Sequence, residues 1–167
     1  GYTDSVDGDV TTNNGNRDFW VVKIDAFGAL TWQKSFGYAG ADEGMSIIET
    51  SDNHFILSGV LDVSASGGEG NFGRLSTRHA GGDYWSIKIT QTGDVVWSRF
   101  YGGSFTDNPA GVLETASNNL IIVGGSDSND VDITNNKGSY DFWVVKSTKD
   151  GDIVWEKSFG GSEIDEA

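Results

Sequence analysis

The most reactive motif in this sequence is acidic and occurs twice. Asp4-x-x-Asp7-x-Asp9 recurs with the same spacing as Asp127-x-x-Asp130-x-Asp132. Three carboxylates on one tight loop are the donors that a hard cation such as Ca2+ selects, and Thr11 and Thr134 or Asn13 and Asn136 could add further oxygens. A second alignment puts Asp62 level with Asp4 and Asp127, but Ala65 and Gly67 stand where the other two carboxylates would be. The same Asp and Asn residues also make a solvated turn, in which short polar side chains bond the local backbone. No complete EF-hand pattern is present. The expectation is therefore Ca2+ as the candidate ion at Asp4, Asp7, Asp9, Asp127, Asp130 and Asp132, with the solvated turn as its alternative.

A second candidate breaks the acidic character of the chain. Arg74, Arg78 and His79 cluster in one stretch and could contact a ligand or partner from a loop. Its alternative is a plain surface insertion. Neither His54 nor His79 has a second histidine at metal spacing. There is no Gly-x-Ser-x-Gly elbow and no cysteine, so neither a serine elbow nor a thiol nucleophile is available. No catalytic constellation emerges.

These loops are set between the strands of an internal repeat. Asp18-Phe19-Trp20-Val21-Val22-Lys23 returns as Asp83-Tyr84-Trp85-Ser86-Ile87-Lys88 and as Asp141-Phe142-Trp143-Val144-Val145-Lys146. Each copy leads to a second tryptophan, Trp32, Trp97 or Trp155, then to an aromatic-Gly pair (Phe36-Gly37, Tyr101-Gly102, Phe159-Gly160) and an aspartate (Asp42, Asp107, Asp165). The repeat thus accounts for all six tryptophans, and their regular spacing makes them packing residues before it makes them sugar platforms. The recurrent Asp18, Asp83 and Asp141, like Asp42, Asp107 and Asp165, read as caps of turns or acceptors of backbone N–H groups. The periods are 65 and 58 residues, and the difference lies in the loop that carries Arg74, Arg78 and His79.

Four strands per repeat follow from the pattern. The first spans Met45–Thr50 and Gly111–Thr115, and the second spans His54–Gly59 and Leu120–Gly124. The third covers Phe19–Ile24, Tyr84–Ile89 and Phe142–Lys146, apolar on both faces as a buried strand is. The fourth covers Leu30–Phe36, Val95–Tyr101 and Ile153–Phe159, and its alternation fits a half-exposed outer strand. Tight turns with Gly28, Gly93 and Gly151 join the last two, where a positive φ costs a glycine little.

Four-stranded antiparallel units in tandem are the mark of an all-β protein built of β-propeller blades. The chain holds nearly three of them, with pieces at about 1–37, 38–102 and 103–160 and the start of another at 161–167. A propeller usually closes with four to eight blades, so the remaining blades of the same polypeptide, or other chains of an assembly, are the expected partners.

Composition bounds the partners further. With 25 acidic against 11 basic residues, the net charge of −14 repels phosphate backbones and anionic lipid surfaces. Nucleic acid is excluded as a partner, and so is membrane insertion, since no apolar run reaches the length of a span. A glycan or protein ligand remains open.

The pattern D-[FY]-W-x-[VI]-K, a Gly turn, W-x-[KR]-x-[FY]-G and a following aspartate resembles the β-propeller repeats of large exported Bacteroidetes proteins, many of which end in a type IX secretion sorting domain. The resemblance covers essentially the whole chain. It implies an extracellular or cell-surface location and a non-catalytic role in adhesion, glycan or protein binding, or structural spacing. The stretch from Lys23 to Trp32 is also similar to the tryptophan-docking motif of pyrroloquinoline quinone dehydrogenases. Here the Asp-to-Trp spacing is one residue shorter and the Thr-Gly-Lys core is missing, so that likeness speaks for packing and not for the cofactor. Two other roles stay open: part of a propeller enzyme, quinoprotein-like or polysaccharide-processing, and a subunit of an outer-membrane secretion or uptake assembly.

Overall fold

A computed structural model describes residues 1–71 and 78–165. The protein is all-β, with three antiparallel sheets. The first sheet holds β1 (Tyr2–Thr3), β2 (Asp18–Ile24) and β3 (Leu30–Phe36). The second runs β4 (Glu43–Glu49), β5 (Phe55–Asp62), β6 (Gly82–Ile89), β7 (Val95–Tyr101). The third runs β8 (Asp107–Glu114), β9 (Leu120–Ser126), β10 (Asp141–Ser147), β11 (Ile153–Phe159). Each strand pairs with its neighbour in sequence, so every sheet is a meander. One four-residue helical turn, α1 (Val63–Ser66), opens the inserted loop, with Asp62 as its N-cap and Gly67 as its left-handed C-cap.

The fourth strands have the bounds that the sequence implies. The first strands begin earlier, at Glu43 and Asp107. Pro109 sits inside β8, and the ladder to β9 shifts register between Pro109 and Gly111. β8 is an edge of its sheet, which is where a residue without an N–H can be tolerated.

The sheets pack in sequence order: β8 lies on β4, β5 and β6, and β2 lies near β4. One apolar core joins the first two sheets through Phe19, Val21, Phe36, Leu57, Trp85 and Ile87. The next joins the second and third through Ile56, Tyr84, Trp97, Tyr101, Trp143 and Val145. The fourth-strand tryptophans stitch these joints. Trp32 Nε1 donates to the Gln91 carbonyl at 3.0 Å, and Trp97 Nε1 donates to the Lys149 carbonyl at 3.0 Å. Both acceptors lie in the β6–β7 or β10–β11 turn of the following sheet. There Gly93 and Gly151 leave room for the indole: a Cβ on either would come within 3.4 Å and 3.3 Å of the Trp32 and Trp97 rings.

The third-strand tryptophans bond within their own sheet. Trp20 Nε1 donates to Gln33, Trp85 Nε1 to Ser98 and Trp143 Nε1 to Glu156. Packing does not bury all six tryptophans equally. Trp97, under the β10–β11 turn, is 6% exposed, and Trp155 is 39% exposed. Among the described residues no helix is long and apolar enough to cross a membrane.

Candidate functional site

The polar chemistry of the protein collects in the loops at the joints between sheets. Both acidic loops have the same backbone. Val10 N–H donates to the Asp7 carbonyl at 3.1 Å, and Ile133 N–H to the Asp130 carbonyl at 3.0 Å. Gly8 and Val131 occupy the same left-handed position, with φ of 64° and 58°. Val10 and Ile133 are buried beneath.

The oxygens that could have joined a metal site are directed elsewhere. Thr11 Oγ1 accepts from Gln33, and Thr134 Oγ1 donates to Glu156. Asn13 and Asn136 hold their own loops, each accepting from a backbone N–H two residues on (Gly15 and Gly138) and donating to a strand carbonyl (Thr3 and Ser126).

Asp4, Asp7 and Asp9 are exposed. In the other loop, Asp130 Oδ1 accepts Ser104 N–H at 2.9 Å and Asp132 Oδ2 accepts Gly102 N–H at 3.4 Å. Asp127 contributes its own N–H to the Thr106 carbonyl at 3.0 Å. Among the described residues no group of three or more His, Asp or Glu side chains is arranged to hold a metal ion. What the loop does grip is the backbone of residues 102–106, ahead of the third sheet.

His79 of the inserted loop turns inward. Its side chain is 5% exposed, with Nδ1 2.6 Å from Asp83 Oδ2 and Nε2 3.8 Å from Asp132 Oδ2. Two sequence candidates of different kinds, His79 and Asp132, thus meet. They line a cavity of about 220 Å3 together with Asn71, Arg99, Tyr101 and Val131. Burial lowers the pKa of His79, but its hydrogen bond to Asp83 and the charges of Asp83, Asp132 and Asp107 outweigh that and raise it. Burial pushes Asp83 up to about 7, only partly offset by His79. Arg78 is exposed, and Arg74 lies outside the described residues.

The recurrent aspartates form the most regular feature. Each strand-start residue reaches back four positions: Asp18 Oδ2 accepts Asn14 N–H and Asp141 Oδ2 accepts Lys137 N–H, both at 2.8 Å. At the equivalent place in the second sheet, the imidazole of His79 takes over from the backbone donor. The following aspartates do the same for the next loop. Asp42, Asp107 and Asp165 accept from Tyr38, Gly103 and Gly161 N–H at 2.7, 2.8 and 2.7 Å. Asp107 also accepts from the hydroxyls of Ser126 and Ser128. Burial raises Asp42 and Asp107 to about 6 each, against the pull of these hydrogen bonds.

The two sets meet over a glycine. A Cβ on Gly37 would lie 2.5 Å from Asp18 Oδ1 and 2.9 Å from Asp42 Oδ2, and one on Gly102 would lie 2.5 Å from Asp107 Oδ2 and 2.7 Å from Asp83 Oδ1. Gly160 stands in the same way between Asp141 and Asp165. The aromatic-Gly pair of the repeat is thereby explained: the glycine makes space for two carboxyls. Asp18, Asp83 and Asp141 each keep Oδ1 buried without a partner. Sequence reasoning found these aspartates but not their pairing; the one available signal was a glycine at the same place in every repeat.

The chain matches no protein-family model. It is similar to Regulatory protein FlaEY of Caulobacter vibrioides, with 24% identity over 172 residues that cover 96% of this chain. The chain spans 18% of the length of that protein.

Proposed function

We propose that the chain is a run of nearly three β-propeller blades that serves as a non-catalytic extracellular or cell-surface module, for adhesion, glycan or protein binding, or structural spacing. The observation that carries this reading is the repeated joint. Two successive sheets offer a tryptophan N–H to a turn carbonyl of the next, a joint that propagates from sheet to sheet as stacked repeats do. The carboxylates at repeat positions are occupied in holding loops, which leaves them to architecture and not to bond cleavage. The exposed Trp155 and Phe159 form the face on which a further blade packs.

Binding of the labelled protein to a glycan array and to intact bacterial and host cell surfaces tests the role. Saturable binding that survives mutation of any single aspartate supports a binding module. Hydrolysis of a polysaccharide, or quinone-dependent reduction of a dye, would replace this reading with the enzymatic one.

A further inference from the structure

We propose that Asp18 and Asp42 share one proton, carried on Asp18 Oδ1 and donated to Asp42 Oδ2, and that this proton latches the loop before β2 to the loop before β4. Both carboxyls are fully buried. They face one another across the space that Gly37 leaves, and the backbone of Gly37 is not left-handed, so the glycine is there for room and not for conformation. Asp42 is satisfied at both oxygens, by Tyr38 N–H on Oδ2 and Asp62 N–H on Oδ1. Asp18 takes Asn14 N–H on Oδ2 and has the Gly15 N–H beside it, but no hydrogen bond reaches its Oδ1.

A buried anion with an unpartnered oxygen is costly, and a second buried carboxylate beside it makes ionisation of both costlier still. One proton resolves both problems, because it turns the orphan acceptor into a donor aimed at the neighbouring oxygen. It belongs on Asp18 Oδ1, the one oxygen of the pair that no hydrogen bond reaches; burial raises the pKa of Asp18 against the pull of the Asn14 and Gly15 N–H groups.

The groups around the pair offer no other positive charge. Asp62 adds a further negative charge, and the Tyr38 phenol is nearby. Arg17, beside Asp18 in sequence, points away to Glu43 at 2.6 Å and over the Tyr2 ring. Among the described residues no Lys, Arg or His pairs with either carboxyl. The second sheet provides the contrast, since there His79 brings a protonatable side chain to the matching aspartate. A metal ion suits the site poorly: only two oxygens converge, and one of them already takes an N–H, whereas Ca2+ takes roughly six to eight.

The loops being latched also exchange backbone bonds, Asn16 and Arg17 N–H to the Gly40 carbonyl and Asp42 N–H to the Arg17 carbonyl. Loss of the proton leaves two like charges facing each other at the first joint. The pair titrates as a unit, and the raised pKa of Asp42, about 6, is consistent with a proton retained in mild acid and lost toward alkaline pH.

The test compares the melting temperature of the wild-type chain with Asp18→Asn and Asp18→Ala from pH 4 to 9, in EDTA and again with added Na+ or Ca2+. Asparagine keeps an acceptor for Asn14 N–H and places a permanent donor where the proton would be. Asp18→Asn should coincide with wild type at pH 4 to 5 and exceed it by about 3 °C at pH 8, while Asp18→Ala should lie below both in acid. Infrared difference spectra between pH 5 and 8 should show a protonated-carboxyl C=O band that Asp18→Asn removes. Parallel wild-type and Asp18→Asn curves, or an Asn variant as unstable as the Ala variant in acid, would overturn the shared proton. So would a rise in wild-type melting temperature on adding either cation at pH 8 that Asp18→Asn abolishes, which would make a metal ion the occupant.

Discussion

The loops at 4–9 and 127–132 have the same spacing of aspartates, the same turn hydrogen bond and the same left-handed residue position, yet their carboxylates do different things. In the second loop Asp130 and Asp132 take backbone N–H groups from residues 102–104. In the first, Asp7 and Asp9 are exposed. The loop sequence is alike, but only the second loop lies against a stretch, residues 102–106, whose N–H groups its carboxylates accept. The acidic pattern serves in the second loop as an acceptor for loop N–H groups at a joint between sheets, and in the first loop the same carboxylates stand exposed.

The covered and exposed copies of the repeat should differ most at the tryptophans. Trp97→Ala removes a buried indole and its bond to Lys149 and should cost about 3–5 kcal/mol. Trp155→Ala removes the same residue of the repeat from an uncovered face and should cost about 1 kcal/mol or less. Urea unfolding followed by circular dichroism measures both. Equal losses would mean that the covered and uncovered copies do not differ as described.

The next effect is on pH. Asp42 and Asp107 at about 6, and Asp83 at about 7, lie above the 3.8 of an unperturbed aspartate. The folded protein therefore binds protons that the unfolded chain has already released, and stability falls as pH rises from about 4 through about 7. The raised His79 acts in the same direction: its contribution is complete below 6.5 and is lost as pH climbs past its folded value. Asp52 works the other way. Its hydrogen bonds to Lys88 and Thr50 hold it at about 2, so its contribution is present above 3.8 and is lost only as pH falls toward 2. Melting temperatures from pH 2.5 to 8.5 should peak at about 4–5. Asp107→Asn should shallow the decline on the alkaline side; a maximum at pH 7 or above would contradict the burial of these carboxyls.

A smaller difference separates the loops themselves. Asp130→Ala frees Ser104 N–H and should cost about 1 kcal/mol, whereas Asp7→Ala should leave the unfolding midpoint in place. Val131 is a β-branched residue at φ 58°, where the first loop has Gly8. Val131→Gly relieves strain of about 1–2 kcal/mol less the added freedom of glycine in the unfolded chain, so a net gain of a few tenths to about 1 kcal/mol is expected. Gly8→Val should lose a comparable amount. If Val131→Gly destabilises, contacts of the valine in the His79 cavity outweigh its backbone.

How much of this was legible depends on whether the cause was local. The fourth strands were legible to the residue because a glycine turn and a tryptophan bound them in every copy. The tight turns at Gly28, Gly93 and Gly151 were legible for the same reason, a glycine where φ is 83°, 80° and 84°. The cap that Asp62 places on α1 was not, because the helical turn exists only in the inserted loop and is too short to show a period. His79 read as part of a basic surface cluster. Its inward turn depends on Asp83, four residues on, at a place where other repeats use a backbone N–H. The pairing of Asp18 with Asp42 was illegible for a different reason: it spans two loops, and only the fold brings them over Gly37.

The smallest expected effect concerns the ion that the acidic spacing suggested. If Asp4, Asp7 and Asp9 closed on Ca2+, the ion would have to bind the native chain and so raise its melting temperature in proportion to the logarithm of its concentration. The arrangement of the loop argues for no shift: Thr11 and Asn13 are engaged with Gln33, Gly15 and Thr3. The second loop is still less free to close, since Asp130 and Asp132 would have to give up Ser104 and Gly102. Melting in EDTA and in millimolar Ca2+ should therefore coincide. A Ca2+-dependent rise abolished by Asp7→Asn but not by Asp130→Asn would make the exposed loop a metal site and the second loop a joint built from the same residues.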